Sequence, residues 1–366
     1  MQWPTVSTFQ EMNKQKEIGS LFRKHILSLV PYSSARDEYT GSAHVFLDAN
    51  ENPYNDPLNR YPDPGQRELK RMVASLKNQR VENLFLGNGS DEGIDLLIRV
   101  LCEPGVDNLV TVDPTYGMYG VAARIHDVEV RQVMLRSDFS LDPEAVFKAV
   151  DGNTKIIFLC SPNNPTSNAF SQAAMERIVD GVDCMVAVDE AYIDFSNREG
   201  MLTQVPLRRN LAVLQTLSKA WGLAGIRLGM VFGDAELIRV LSHVKYPYNI
   251  NTLTMNKAME EVRDQENYHR WVHQILEQRD LLSEKLEALT LIDQVFPSDS
   301  NFLLVKVARP RQVYQYLMEQ GIIVRDRSSV PLCEGCLRIT VGTPEENRAL
   351  IKALGAFQPS KQSKST

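Results

Sequence analysis

Cys184-Met185-Val186-Ala187-Val188-Asp189-Glu190-Ala191-Tyr192 is an apolar run that stops abruptly at two carboxylates and a tyrosine. A run with no polar side chain before Asp189 reads as a strand buried on both faces, as in parallel sheets covered by helices. Working outward, comparable runs stand at Lys155–Cys160 and Leu211–Leu217, and further ones at Asn83–Leu86, Asn108–Val112 and Leu228–Phe232. Stretches of helical period separate them, among them Gln66–Leu76, Asp91–Leu101 and Gln172–Val179. This alternation predicts an α/β layer built on a mostly parallel sheet.

The texture changes near Thr252, where a charged helical stretch runs to about Leu289. Strands are then expected at Phe302–Val307, Ile322–Val324 and Leu337–Val341, with helices at Pro310–Glu319 and Glu345–Leu354. The expected organisation is an N-terminal arm with part of a small domain (1–47), a large domain (48–255), a small α+β domain (256–357) and a disordered polar tail (358–366). Ile18–Leu29 looks helical and reads as arm rather than core.

The 366 residues are 43% hydrophobic, enough for a sizeable core, and carry a formal net charge of −6. An acidic chain is a poor partner for nucleic acid or an anionic membrane. No signal peptide is read at Met1–Thr5, no stretch approaches the ~20 apolar residues that span a bilayer, and the five cysteines are odd in number and scattered. A cytoplasmic protein is expected. Cys333 and Cys336 form a lone Cys-x-x-Cys pair without further ligands, and His269 and His273 lack the Glu of a metalloprotease helix; no metal site is expected.

Chemistry gathers at the ends of the apolar runs. Asp189 sits where open α/β sheets bind ligands, although a loop-capping carboxylate would look the same. Thirty residues on, Thr216-Leu217-Ser218-Lys219 closes another run, and Arg227 follows in Gly225-Ile226-Arg227-Leu228-Gly229. A lysine amine with a depressed pKa condenses with aldehydes, while Ser and Arg suit a phosphate. Taken alone, Lys219 is equally a surface lysine. Gly87-Asn88-Gly89-Ser90-Asp91-Glu92 opens a helix after a run, with Ser90 the expected cap and the first-turn N–H groups facing a phosphate; a capped helix after a tight turn explains it as well. Ser161-Pro162-Asn163-Asn164-Pro165-Thr166 and Asp113-Pro114-Thr115-Tyr116 follow further runs. They read as turns, with amides or an aromatic face available to a ligand.

This ordered set resembles the aspartate-aminotransferase-type, fold type I, pyridoxal 5'-phosphate enzymes. Leu47-Asp48-Ala49-Asn50-Glu51-Asn52-Pro53, Arg60-Tyr61-Pro62-Asp63-Pro64, Pro31-Tyr32-Ser33-Ser34-Ala35-Arg36 and Leu337-Arg338-Ile339-Thr340-Val341-Gly342-Thr343 narrow the similarity to the histidinol-phosphate aminotransferases, from about Pro31 to Leu354. The resemblance implies a mostly parallel seven-stranded sheet sandwiched by helices, with a smaller α+β domain. It implies a homodimer that transfers amino groups between histidinol phosphate and 2-oxoglutarate, yielding imidazole-acetol phosphate and glutamate in histidine biosynthesis. It assigns Lys219 the cofactor aldehyde and the α-proton, and Asp189 the pyridine nitrogen. Tyr192 and Asn164 would bond the phenolic oxygen and Tyr116 would stack on the ring. Gly89, Ser90, Asp91, Ser218 and Arg227 would surround the phosphate, with Tyr61 reaching it from the other subunit. Tyr32, Asn52, Arg325 and Arg338 would contact substrate. One departure is Ser167, where the family loop carries Gly.

Three rivals remain at this level: a decarboxylase of a phosphorylated amino acid such as threonine phosphate, a non-catalytic cofactor-binding protein, and a nicotinamide-dependent oxidoreductase. The last is disfavoured because the glycine fingerprint is incomplete.

Overall fold

The computed structural model describes residues 18–30, 35–39 and 43–358. Seven strands form the large sheet: β1 (Leu84–Asn88), β2 (Asn108–Asp113), β3 (Glu129–Met134), β4 (Thr154–Cys160), β5 (Met185–Asp189), β6 (Leu211–Thr216) and β7 (Leu228–Phe232). Their order is β1-β7-β6-β5-β4-β2-β3. The β6–β5–β4–β2–β3 pairs are parallel, whereas β7 runs antiparallel to both β1 and β6.

The apolar runs become the inner strands for the reason anticipated. Every residue of β5, β6 and β7 is buried, with helices covering both faces. Alternate residues divide between two cores: Val186 and Val188 join one, Met185 and Ala187 the other. The edge strand β3 was not anticipated. It exposes Glu129 and Gln132 and buries only Val133, so it has no apolar run to reveal it.

A second sheet, ordered β10-β11-β9-β8, is antiparallel: β8 (Ile292–Val295), β9 (Phe302–Val307), β10 (Arg325–Asp326) and β11 (Cys336–Thr340). One face, with Leu303, Val305, Leu337 and Ile339, packs in its own core with helices Pro310–Glu319 and Pro344–Ala356. The opposite face carries Phe302, Leu304 and Cys336 into the core of the large sheet. The strand expected at Ile322–Val324 is displaced to Arg325–Asp326, because the chain turns at Gly321 (φ +74°) and pairing with β11 starts only at Arg325. The stretch from Thr252 is two helices, Thr252–Arg263 and Gln265–Glu287, broken at Asp264, whose side chain accepts from the Asn267 N–H as N-cap of the second.

The segment read as an arm is partly core. Ile18 and Phe22 are buried against the large-sheet helices, and Arg23 donates from Nε to Glu103 at 3.0 Å. Residues 1–17 and 359–366, which hold the start of the expected arm and all but Gln358 of the expected tail, lie outside the described residues. No described helix is long and apolar enough to cross a membrane.

Candidate active site

The parallel strands end along one edge of the large sheet, which brings Asp189, the Ser161–Ser167 loop, and Ser218 with Lys219 together. Because β7 is reversed, its start lies at that same edge, so Arg227 arrives there from the opposite chain direction. The resulting cleft, of about 140 Å³, is lined by Ser90, Asp91, Tyr116, Asn164, Asp189, Tyr192, Ser218, Lys219 and Arg227, together with Cys160, Ala191, Thr216 and Ala224.

Asp189 forms the floor. It is buried and accepts two hydrogen bonds, from the Ala191 N–H at 3.1 Å and from the Tyr119 hydroxyl at 2.7 Å. Burial pushes its pKa up; the Tyr119 bond and the Ala191 N–H oppose that. Tyr119 is fully buried and stacks on Phe158, with ring centroids 4.8 Å apart. Nothing in the sequence singled it out, although Tyr119 lies only three residues after Tyr116, in the first turn of the helix Met118–Ile125.

Lys219 forms one wall, its Nζ 5.5 Å from the Tyr192 ring centroid. Its pKa is lowered first by burial and then by the Arg338 charge, which favours the free amine. The buried Tyr192 packs edge-on against Phe302 of the small sheet at 5.1 Å. The Tyr116 hydroxyl donates to Asp91 Oδ1 at 3.1 Å.

The far end is shaped for close approach. Gly89 has φ +74°, and a Cβ there would stand 2.6 Å from an Arg227 guanidinium nitrogen. A Cβ on Gly229 would fall 2.2 Å from the Gly89 and Ser90 backbone. Arg227 itself is left-handed (φ 56°), its carbonyl accepts from the Gly89 N–H, and its guanidinium lies 3.5 Å from Asp91 Oδ2. The Thr216 hydroxyl accepts from the Ser218 N–H at 3.0 Å and lies 2.9 Å from the Ser218 hydroxyl. Ser90 is not the helix cap: the helix begins at Gly89, so Ser90 lies in its first turn, where N–H groups have no intrahelical acceptor. A carboxylate floor, a deprotonable amine and an end of N–H, hydroxyl and guanidinium donors match the ring nitrogen, aldehyde and phosphate of pyridoxal phosphate.

On the small sheet, Arg325 and Arg338 are direct cross-strand partners and therefore share a face. Arg338 donates to Asn164 Oδ1 at 2.5 Å and packs over the Phe302 ring at 5.4 Å. Among the described residues, neither guanidinium is ion-paired with a carboxylate; Asp326, next to Arg325, accepts instead from the Ser328 N–H at 2.8 Å. Burial and the neighbouring Arg325 lower the pKa of Arg338.

Other expected residues lie elsewhere. Tyr61 stacks on Tyr248 (4.4 Å, 13°) and lines a separate surface cleft with Arg60 and Leu253, not the cleft of its own chain's Lys219. Exposed Asn52 accepts from the Tyr54 N–H at 3.0 Å and does not line the Lys219 cleft. Tyr32 lies outside the described residues. Ser167 is buried with φ 65°, occupying the left-handed conformation that a glycine would favour. Its carbonyl accepts from the Asp299 N–H at 2.8 Å and its hydroxyl lies 3.2 Å from the Pro297 carbonyl. Cys333 and Cys336 are buried free thiols, and no metal-binding group occurs among the described residues.

The sequence profile described as "Aminotransferase class I and II" matches residues 38–354. A histidinol-phosphate aminotransferase of Parabacteroides distasonis is 52% identical, covering 93% of this chain and 98% of that protein. Among solved structures, a histidinol-phosphate aminotransferase from Sinorhizobium meliloti in complex with pyridoxal 5'-phosphate superposes with a TM-score of 0.76 at 19% identity, covering 97% of this chain and 94% of that one. The L-threonine-O-3-phosphate decarboxylase from Porphyromonas gingivalis reaches a TM-score of 0.70 at 21% identity, covering 81% and 90%, so the fold alone does not separate these two reactions. The profile match and the near-full-length identity do: the chain belongs to the class I and II aminotransferase family, within its histidinol-phosphate aminotransferase group.

Proposed function

We propose that this chain transfers the amino group between histidinol phosphate and 2-oxoglutarate, using pyridoxal phosphate held between Asp189, Lys219 and the Gly89–Asp91, Ser218 and Arg227 end of the cleft. One observation supports this most: an amine with a depressed pKa and a buried, hydrogen-bonded carboxylate share a cleft whose Asn164 is bonded by Arg338, a guanidinium that no described carboxylate neutralises. When bound, pyridoxal phosphate supplies an aldehyde that captures substrate amines and a ring that accepts the electron pair released at the substrate α-carbon.

The chain's own groups account for the rest. Asp189 holds a proton on the ring nitrogen. Lys219 Nζ, whose free-amine form burial and the Arg338 charge favour, accepts the substrate's α-proton. Asn164 and Tyr192, which line the cleft, would hold the phenolic oxygen, and Tyr116 would face the ring. Arg338 and Arg325 bind the anionic end of each substrate. Histidinol phosphate presents a phosphate and glutamate a carboxylate, and a guanidinium fork accepts either.

The decarboxylase rival is tested in one assay. Incubation with histidinol phosphate and 2-oxoglutarate is expected to yield glutamate, whereas threonine phosphate is expected to release no carbon dioxide; the reverse outcome overturns the assignment.

We further propose a cytoplasmic homodimer. Val45, Leu47, Tyr54 and Leu58 are exposed in the stretch that also carries Tyr61 and Arg60, and Tyr246 and Leu253 add to the exposed apolar side chains. So much apolar surface is unusual on a monomer. A second copy would cover it and give Tyr61 access to the other subunit's phosphate end. Sedimentation of a monomer at micromolar concentration would contradict this.

A further inference from the structure

The expected site residues leave one group beneath the floor of the cleft without a role. The Tyr119 hydroxyl lies 2.7 Å from Asp189 Oδ2, in a place with no accessible surface. Its ring is clamped, stacked on Phe158 (4.8 Å, 8°) on one side and edge-on to Tyr116 (5.6 Å, 86°) on another. The phenol therefore has little freedom to turn away. Asp189 Oδ1 is held by the Ala191 N–H, so each carboxylate oxygen has one donor fixed by the protein. A carboxylate with both oxygens anchored has a set ring plane and retains lone pairs for one further partner.

The surroundings explain why an anchor is needed. The charged or titratable neighbours of Asp189 are Lys219, Asp91, Tyr116, Tyr192, Tyr119 and Cys160. Of these Lys219 alone can carry positive charge, and burial and the Arg338 charge work against it. Burial works against the carboxylate's charge, and the donated hydrogen bonds work for it.

We propose that Tyr119 is a positioning residue for pyridoxal phosphate, acting through Asp189: its hydroxyl fixes the orientation of the carboxylate and sustains its charge toward the ring nitrogen. The proposal rests on the cofactor reading above. Hydrogen bonds to a charged group are worth about twice neutral ones, and their loss at a buried carboxylate is not made good by water.

The test is equilibrium binding of pyridoxal phosphate to the cofactor-free protein, followed by absorbance, in a double-mutant cycle of Tyr119→Phe and Asp189→Asn. Phe keeps the ring, its stack and its volume. Tyr119→Phe alone is expected to weaken binding roughly tenfold, with an unfolding midpoint within a few degrees of the unmodified protein. Asp189→Asn is expected to weaken binding more. Adding Tyr119→Phe to Asp189→Asn is then expected to change binding less than twofold. A purely structural tyrosine would instead give losses that multiply. Multiplying losses, or unchanged binding in Tyr119→Phe, overturn the proposal; unchanged binding in Asp189→Asn overturns the cofactor reading beneath it. If the Phe variant does not fold, Tyr119→Leu, which also lacks a donor, takes its place in the same cycle.

Discussion

Replacing Arg338 with Ala separates a binding role from a structural one. Its guanidinium donates to Asn164 Oδ1, packs over Phe302 and sits opposite Arg325, with no carboxylate partner among the described residues. In the substrate-free protein it is a partly desolvated charge that burial and Arg325 disfavour. Its removal costs one hydrogen bond to Asn164, about 1 kcal/mol, and relieves part of that repulsion. The expected change in folding stability is therefore about 1 kcal/mol or less. With substrate bound, the same fork makes charge-assisted hydrogen bonds worth roughly 1.5–3 kcal/mol each. Arg325 stays behind to grip the anion, so a net loss of about 2–3 kcal/mol is expected, a rise of roughly 30- to 150-fold in KM. The rise should appear for histidinol phosphate and for glutamate, and high salt should narrow it. Steady-state kinetics at two ionic strengths and urea unfolding of the cofactor-free protein measure the two halves. A loss of about 3 kcal/mol in stability with KM unchanged would refute the reasoning, because Arg338 would then be a packing residue.

The same substitution removes the second-largest influence on Lys219, so the amine's pKa is expected to rise, and the basic pH at which the cofactor-free protein captures pyridoxal phosphate should move up with it. Lys219→Ala is expected to abolish turnover and to leave no borohydride-fixed adduct at that position by mass spectrometry; an adduct there in the unmodified protein and normal turnover in the variant cannot both hold. Gly229→Ala would set a methyl 2.2 Å from the Gly89 and Ser90 backbone, so about 2 kcal/mol or more of stability and at least ~100-fold in cofactor affinity should be lost; wild-type affinity would show that the edge yields easily. Burial pushes the Glu190 carboxyl up to about 7, opposed by donors from Gln215 and Met201. Above its ordinary pKa the unfolded chain has released that proton while the fold retains it, so stability should fall as pH rises from about 4.5 to 7; urea midpoints across that range, compared with Glu190→Gln, should show the slope diminish in the variant.

Much of this was visible in the chain itself, for identifiable reasons. Strands β4 to β7 are buried on both faces, so their unbroken apolar runs mark them, and the residues ending those runs had to meet along one edge. Strand β3 is half-exposed and mixed in polarity, and β8 buries neither end fully, so neither has a run to find. The strand misplaced to Ile322–Val324 shows the limit of apolarity as a guide, since Arg325 is chosen by pairing with Arg338 and not by burial. Tyr119 escaped notice because its partner, Asp189, is seventy residues away; a helical Tyr with an ordinary apolar neighbourhood carries no local mark. Ser90 is not the cap because the helix starts at Gly89, a glycine in the left-handed conformation, two residues earlier than a Ser90 cap requires.

The groups proposed for chemistry and those proposed for grip stand on different sheets. Asp189 ends a strand of the seven-stranded sheet and Lys219 follows another, whereas Arg325 and Arg338 ride on the four-stranded one. The span between amine and guanidinium is thus a distance between two packed bodies, bridged locally by the Arg338–Asn164 bond and the Tyr192–Phe302 contact. Because Phe302, Leu304 and Cys336 of the small sheet are buried in the large sheet's core, that span is set by how the two sheets pack, and a change of side-chain volume at this seam would alter the reach between amine and anion grip without touching either group.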